Sequence, residues 1–282
     1  MTFDLISLRF HFRARTPIQF GPYASGNTLR GILGAGLRRI YCTSECPGHS
    51  GERARACPLN ASCPYGQIFE PSPSPEGPSG LADPPRPFVL RAAHLDDRAI
   101  AAGEPFWFDI NLFDTRKLSI EHLTRAFAEF ALLESVEQRP ISLSLEPAAS
   151  EVKRVRVEFR TPTQLKVAGT VGEPDFATLF ARLQDRISTL RALYGSGPLA
   201  SDFRRMRERA AQIRTIGCQL QNISAKRRSS RTGQVHSIGG FIGTAEYEGE
   251  LDEFVPYLEA ARWTGVGRQC VWGKGELALQ TA

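Results

Sequence analysis

The order of predicted strands and helices repeats once along the 282-residue chain, and this repeat constrains the fold more than any other feature of the sequence. Phe3 to Ala14 alternates apolar and polar side chains, as a half-buried strand does. Ser25 or Asn27 caps the helix that follows. The other predicted elements of the first half are strands at 88–90 and 105–113, a helix at 118–136 and a strand at 141–145.

The second half repeats this order without repeating individual residues. Its predicted elements are a strand at 152–159, helices at 176–194 and 203–212, strands at 214–223 and 234–247, a helix at 251–263 and a strand at 271–279. Two consecutive βαββαβ units predict an α+β fold of two tandem ferredoxin-like domains with antiparallel sheets. We place the N-terminal domain at 1–148, with a cysteine-rich insertion at 42–70 and a proline-rich linker at 71–85, and the C-terminal domain at 149–282.

The composition is that of a soluble globular protein with a mild basic excess. No apolar run is long enough to span a membrane, and the alternating N-terminus does not read as a signal peptide, so we expect a cytoplasmic protein. Lys and Arg (35) exceed Asp and Glu (30), which gives a net charge of +5. This excess is compatible with nucleic-acid binding but does not identify it. Charges cluster locally, with a basic run at 153–156 and an acidic patch at 246–253.

Four of the six cysteines lie close together in the sequence. Their spacing is Cys42-x3-Cys46-x10-Cys57-x5-Cys63. Four thiolates in a short, loop-rich segment suit a tetrahedral Zn²⁺ ion, so we predict structural zinc, with His49 as a substitute ligand. An iron–sulfur cluster is one alternative, and unpaired thiols left from a lost metal site are another. Cys218 and Cys270 are predicted to be small, buried apolar residues.

A basic segment separates two predicted strands of the C-terminal half. It contains Lys226, Arg227, Arg228 and Arg231, and His236 follows it closely. A charge run at a hairpin tip is usually a solvated surface, which is the structural alternative here. Because this run connects two strands and lies beside a histidine, we predict that it binds phosphates.

A glycine-rich loop lies near the C-terminus. It contains two Gly-x-Gly pairs, formed by Gly265, Gly267, Gly273 and Gly275. Glycines this dense allow positive φ and a close approach to a ligand, with N–H groups available to phosphate oxygens. Arg268 and Lys274 would supply charge to the same phosphates. A tight turn between strands is the structural alternative.

This loop resembles the C-terminal glycine-rich loop of the RAMP superfamily, the RNA-binding proteins of CRISPR systems. The usual pattern is Gly-apolar-Gly, five residues with at least one basic, then Gly-apolar-Gly, and Lys274 stands where an apolar residue is usual. The order of other segments is similar to that of the CRISPR pre-crRNA-processing endoribonucleases. Those segments are 26–34, 160–166, the helix at 176–194 and 239–243. The resemblance covers nearly the whole chain outside 71–85 and implies the same tandem domain arrangement.

The resemblance implies RNA cleavage without a metal, in which the 2′-hydroxyl attacks its neighbouring phosphate. The protein then supplies a base, an acid and cations for the charged transition state. The resemblance also implies that a histidine on or just after the first helix is the base, with a tyrosine or lysine nearby. The helix itself contains no histidine, so we predict that His49 is the base and that Tyr41 assists it. The alternative is that His49 is a surface residue or a metal ligand. His236, near Arg231, is the second candidate base, and Lys226 would stabilise charge.

Three other histidines are assigned lesser roles. His11 lies on the same predicted strand face as Arg9 and Arg13, and we expect this face to contact RNA. His94 and His122 are interpreted as ordinary surface or helix histidines.

Three functions follow from these patterns. The first is an endoribonuclease that binds CRISPR repeat RNA and cuts the precursor transcript. The second is an inactive crRNA-binding subunit of a CRISPR effector complex, with the other effector subunits as partners. The third is a metal-stabilised scaffold whose cysteine module binds a protein. No membrane partner is expected.

Overall fold

The computed structural model describes residues 1–43, 46, 57–72, 83–116, 120–167, 170–171, 174–228 and 235–281. The helices are α1 (Ser25–Tyr41), α2 (Pro64–Phe69), α3 (Ile120–Phe127), α4 (Phe176–Tyr194), α5 (Phe203–Ala210) and α6 (Val255–Thr264). The strands of the first half are β1 (Thr2–Arg13), β2 (Ile18–Gln19), β3 (Phe88–Arg91), β4 (Ala99–Ile100), β5 (Pro105–Leu112) and β6 (Leu132–Ser144). Those of the second half are β7 (Arg154–Thr163), β8 (Lys166–Val167), β9 (Thr170–Val171), β10 (Arg214–Ile223), β11 (Lys226–Arg228), β12 (Val235–Ser237), β13 (Gly240–Glu248) and β14 (Leu277–Thr281). The prediction of a mixed α+β protein is confirmed.

The chain divides into two compact units. The N-terminal unit contains Leu5–Ile141 and Ala192–Gly195, and the C-terminal unit contains Met1–Asp4, Ser142–Arg191 and Ser196–Ala282. In the described part of the chain, no helix combines the length and apolar character that crossing a bilayer requires.

The N-terminal unit is built on a four-stranded sheet with the order β3-β5-β1-β6. β1 buries the side chains that its alternation predicts, and Phe10 lies opposite Phe108 of β5 in the antiparallel register. The rings of Phe12 and Phe108 lie 5.4 Å apart, and Phe127 of α3 meets Phe108 edge-on at 5.1 Å. These rings form the core between the sheet and α3, and α1 packs against α3.

The C-terminal unit has a four-stranded sheet with the order β10-β13-β7-β14. The main strands and helices follow each other along the chain in the same order as in the N-terminal unit. The strands also lie in the equivalent order across the sheet. Phe176 and Phe180 of α4 pack on Phe254, just before α6, with ring centroids 5.2 and 4.7 Å apart. Phe176 also meets Tyr247 of β13 at 5.1 Å. α4 and the start of α6 thus share one aromatic core with the sheet.

Two local predictions in the first half are wrong. The helix predicted at 118–136 is only α3, Ile120–Phe127, and β6 already begins at Leu132. Residues 132–136 pair in the sheet because β6 is hydrogen-bonded to β1, and Glu134 of β6 accepts a hydrogen bond from Arg13 of β1 at 2.7 Å. The start of α1 is also capped differently, since the Ser25 N–H donates to the carboxylate of Asp96 at 2.9 Å.

Candidate functional site

The glycine-rich loop follows α6 and leads into β14. Its four glycines all have positive φ, 70° at Gly265, 81° at Gly267, 77° at Gly273 and 67° at Gly275. The positive φ expected from the sequence is therefore confirmed. At Gly267 a Cβ would also overlap the carbonyl oxygen of Gln164, which follows β7. The loop adopts this path because glycine is the residue that tolerates both conditions.

Several N–H groups of this loop are used inside the protein. The N–H of Val266 donates to the Gly275 oxygen at 3.0 Å, and the N–H of Arg268 donates to the Gln164 oxygen at 3.1 Å. These bonds close the loop on itself and fasten it to the end of β7. Both N–H groups are therefore occupied, contrary to the prediction that the loop amides are available for phosphate oxygens.

The two cations of the loop differ in exposure. Arg268 is exposed, which fits its predicted contact with phosphate. Lys274 is only 2% exposed, and this burial does not fit the same role. Lys274 is therefore buried, although it is charged and stands where the RAMP pattern usually has an apolar residue.

The basic segment is the outer part of a long hairpin. β11 continues from β10, β12 leads into β13, and the two short strands pair antiparallel with Arg227 opposite His236. The backbone thus brings the predicted phosphate-binding residues beside the second candidate base. Arg231 lies outside the described residues.

An open groove lies over the sheet from which this hairpin extends. Its volume is about 530 Å³, and its lining comes from β7, β10 and β13. Arg160, Gln219, Gln221 and Thr244 contribute side chains that can hydrogen-bond to a polar ligand. Sequence analysis included Arg160 only within the segment 160–166 and did not single out Gln219 or Gln221, because exposed glutamines on a strand carry no signal of their own.

The basic and acidic clusters of the C-terminal half meet as cross-strand ion pairs. Arg154 of β7 donates to Glu248 of β13 at 2.8 Å, and Arg156 lies 3.6 Å from Glu246. The hydrogen bond from Arg154 and the charge of Arg214 hold the pKa of Glu248 below its ordinary value. These arginines are therefore largely paired with carboxylates. For this reason the number of arginines in the basic run does not identify an RNA-binding surface.

The face of β1 that was expected to contact RNA is balanced in the same way. His11 lies 2.9 Å from Glu137, and Arg9 donates two hydrogen bonds to Asp109. Arg9 also lies over the ring of Trp107 at 3.8 Å. The predicted contact of this face with RNA gains no support from these pairings.

A tyrosine–histidine pair joins the end of α1 to the start of α3. The hydroxyl of Tyr41 lies 2.5 Å from Nδ1 of His122, and their rings meet edge-on with centroids 5.1 Å apart. Both side chains are half-buried, and Arg125 lies 5.8 Å above the Tyr41 ring. Sequence reasoning selected Tyr41 but took His122 for an ordinary helix histidine, since their contact depends on how the two helices pack. His49, the predicted partner of Tyr41, lies outside the described residues.

The four clustered cysteines line one small cavity together with Asn60, Tyr65 and Gly66. Burial, and then the neighbouring sulfurs of Cys63 and Cys46, raise the pKa of Cys42 to about 11. Among the described residues, no three His, Cys, Asp or Glu side chains are placed as a ready-made ligand set for a metal ion.

The other two cysteines differ from each other. Cys270 is buried, as expected, and its thiol donates to the Gly267 oxygen at 3.3 Å. The prediction that Cys218 is buried is wrong, because it lies on an exposed part of the edge strand β10.

Comparison with known proteins finds two family models, which meet at residues 157–158 within β7. Residues 157–277 match the family model of the CRISPR-associated endoribonuclease Cas6, and residues 3–158 match a family model described as an N-terminal domain. The glycine-rich loop and the basic hairpin both lie within the first of these matches. No curated protein sequence matches the chain.

Solved structures with similar folds include several Cas6 proteins. Thermus thermophilus Cas6 gives a TM-score of 0.54 at 15% identity, covering 99% of this chain and 99% of that chain. A Cas6 product complex gives 0.55 at 16% identity, covering 98% of this chain and 100% of that chain. A chain of a partial Cas6-RT-Cas1–Cas2 complex gives 0.60 at 12% identity, covering 99% of this chain but 46% of that chain. At these identities the likeness concerns the fold.

Proposed function

We propose that the chain, whose residues 157–277 match the family model of the CRISPR-associated endoribonuclease Cas6, is a member of that family that binds CRISPR repeat RNA and cleaves the precursor transcript. The observation that carries the proposal is the family match over 157–277, which contains both the positive-φ glycine loop and the basic hairpin. One of the structures with a similar fold is described as a product complex.

For the architecture, we propose two tandem ferredoxin-like domains, at 1–148 and 149–282. Each sheet supports this, because its strands stand in the order second, third, first, fourth along the βαββαβ sequence. The cysteine-rich segment at 42–70 would then be an insertion between the first helix and the second strand of the N-terminal domain.

For RNA binding, the candidates lie on three parts of the C-terminal unit. The basic hairpin supplies Lys226, Arg227, Arg228 and Arg231. The loop supplies exposed Arg268 on a backbone shaped by its glycines. The groove over the sheet supplies Gln219 and Gln221, whose amides can bond to base edges or sugar hydroxyls, whereas Arg160 in the same groove is paired with Glu158.

The proposed reaction is a metal-independent transesterification. The 2′-oxygen forms a bond to the adjacent phosphorus while the bond from phosphorus to the 5′-oxygen breaks, which leaves a 2′,3′-cyclic phosphate and a 5′-hydroxyl. A base takes the 2′-hydroxyl proton, and an acid protonates the leaving oxygen. Cations stabilise the charge that develops on the phosphate.

His122 joins His49 and His236 among the candidate bases, because it is hydrogen-bonded to Tyr41. A tyrosine at hydrogen-bond distance orients an imidazole and selects its tautomer. In this arrangement His122 exchanges the proton, and Tyr41 holds the ring in place.

The function is tested with labelled repeat RNA and purified protein in the presence of EDTA. We expect cleavage that leaves a cyclic phosphate, and an all-2′-deoxy repeat that binds but is not cut. Binding of the RNA without any cleavage would instead support the alternative, an inactive crRNA-binding subunit, which the family match does not favour.

The catalytic assignment is tested by single-turnover kinetics. His122→Ala should slow cleavage by about 10²–10⁴-fold with repeat binding retained, since a general acid or base contributes on this scale. Tyr41→Phe should cost less, because it removes only the group that orients the ring.

The control for these variants is His94→Ala, since His94 stacks on Trp107 at 3.8 Å in the same unit. It should cleave at the wild-type rate. If His122→Ala also cleaves normally while His49→Ala or His236→Ala is inactive, the base is one of those two residues and the assignment to His122 is wrong.

A further inference from the structure

The four cysteines at 42–63 come from different local structures but surround one point in the fold. Cys42 follows the last residue of α1, and Cys63 is the residue that precedes α2. Cys46 and Cys57 each take part in a local backbone hydrogen bond. The Cys46 N–H donates to the Thr43 oxygen, and the Cys57 oxygen accepts from the Asn60 N–H. None of the four forms a disulfide, and all four line the same cavity.

The size and lining of this cavity restrict what it can hold. Its volume is about 10 Å³, which is room for a single atom or one water molecule. Among the described residues that line it, sulfur is the dominant donor, and none of them carries a carboxylate, lysine or arginine side chain. Oxygen-seeking cations such as Mg²⁺ and Ca²⁺ lack their preferred ligands among these residues.

We propose that Cys42, Cys46, Cys57 and Cys63 bind one structural zinc ion. Four thiolates are a standard tetrahedral set for Zn²⁺, whose bonds to sulfur are about 2.3 Å long. The small cavity favours a single ion over an iron–sulfur cluster, which needs room for several metal and sulfide atoms. Among the described residues, no three His, Cys, Asp or Glu side chains form a ligand set for a metal ion as placed. The proposal therefore requires the four thiols to move inward onto the ion.

At this position the ion would stabilise the packing of α2 on α1. α2 packs on α1 through Phe69. The Phe69 ring fills the space that a Cβ at Gly34 would occupy, and the guanidinium of Arg30 lies over this ring, 4.3 Å from its centroid. An ion held by Cys42 and Cys63 would tie the end of α1 directly to the start of α2. It would also fix the backbone next to Tyr41, and Arg38, one turn earlier on α1, offsets part of the negative charge of the thiolates.

The test is the metal content of the full-length protein, purified without chelators and dialysed against metal-free buffer. Elemental analysis should find about one zinc per chain. Titration of the unmodified protein with a mercurial should release that zinc in full, and cobalt loading should produce the charge-transfer bands of a tetrahedral thiolate site. These measurements need no variant that might fail to fold.

The variants assign the site. Cys63→Ser should lower the zinc content by more than half, whereas Cys218→Ser, at an exposed cysteine of the same chain, should retain it. A metal-free wild-type protein whose four clustered thiols are alkylated in the native state would overturn the proposal. Zinc that remains in full after Cys63→Ser would overturn this ligand set. Neither outcome depends on whether the protein cleaves RNA.

Discussion

At the scale of single residues, the glycine-rich loop depends on backbone conformation more than on side-chain chemistry. Gly267 combines a φ of 81° with close contact to the Gln164 oxygen. Gly267→Ala adds both backbone strain and a steric overlap. The strain alone should lower the free energy of unfolding by about 1–3 kcal/mol, and the overlap should add to this loss. Urea unfolding of the full chain measures this loss, and RNA affinity should fall with it because the loop separates from β7.

The matched control for this change is Gly197→Ala in the same unit. Gly197 has a φ of 98°, but apart from its chain neighbours no described residue has a heavy atom within 4 Å of its Cβ position. This variant therefore introduces strain without overlap, and its loss of stability should be smaller. Equal losses in the two variants would show that the contact with Gln164 does not constrain the loop.

At the scale of elements, the C-terminal unit uses its arginines in two ways. Arg154 and Arg156 of β7 pair with glutamates of β13, whereas Arg227 and Arg228 belong to the backbone of the β11–β12 hairpin. Replacing Arg227, Arg228 and Arg231 by alanine should weaken RNA binding and flatten its salt dependence. Each lost phosphate contact should remove roughly 0.7–0.9 from the log–log slope, because fewer counterions are released. Affinities measured over a range of salt concentrations give this slope.

The double variant Arg154→Ala, Arg156→Ala is the control for this measurement. It removes a similar charge from the same unit, but both side chains are paired with glutamates. Its salt slope should remain near the wild-type value. If it flattens the slope as much as the hairpin variant does, net charge rather than the hairpin determines RNA binding.

At the scale of the whole molecule, each unit has its own aromatic core. Phe108 belongs to the core of the N-terminal unit and Phe180 to that of the C-terminal unit. Phe180→Leu should destabilise its unit by about 1–3 kcal/mol and raise hydrogen exchange in α4 and α6 more than in β1 and β5. Phe108→Leu should produce the reverse pattern. Uniform increases over both units in either variant would show that the chain opens as one cooperative body.

Local patterns in the sequence predicted much of this architecture. The predicted alternation of β1, the strand β7 and the helices α1 and α4 appear in the structure, because period and burial are properties of a short segment. The glycine loop was recognised for the same reason, since a positive φ is a requirement of individual residues. The segment at 132–136 was misassigned, because its pairing with β1 outweighed its helical pattern.

Tertiary structure alone decided which side chains meet. By itself the sequence determined the order of elements, the glycine positions and the clustering of cysteines and cations. It did not determine that Tyr41 contacts His122, that Arg154 is paired with Glu248 or that Lys274 is buried. These contacts depend on helix packing and strand register between residues far apart in the chain, and register is set by the fold as a whole. Residue type limits the chemistry a site can perform, but the neighbours that enable that chemistry are brought together only by folding.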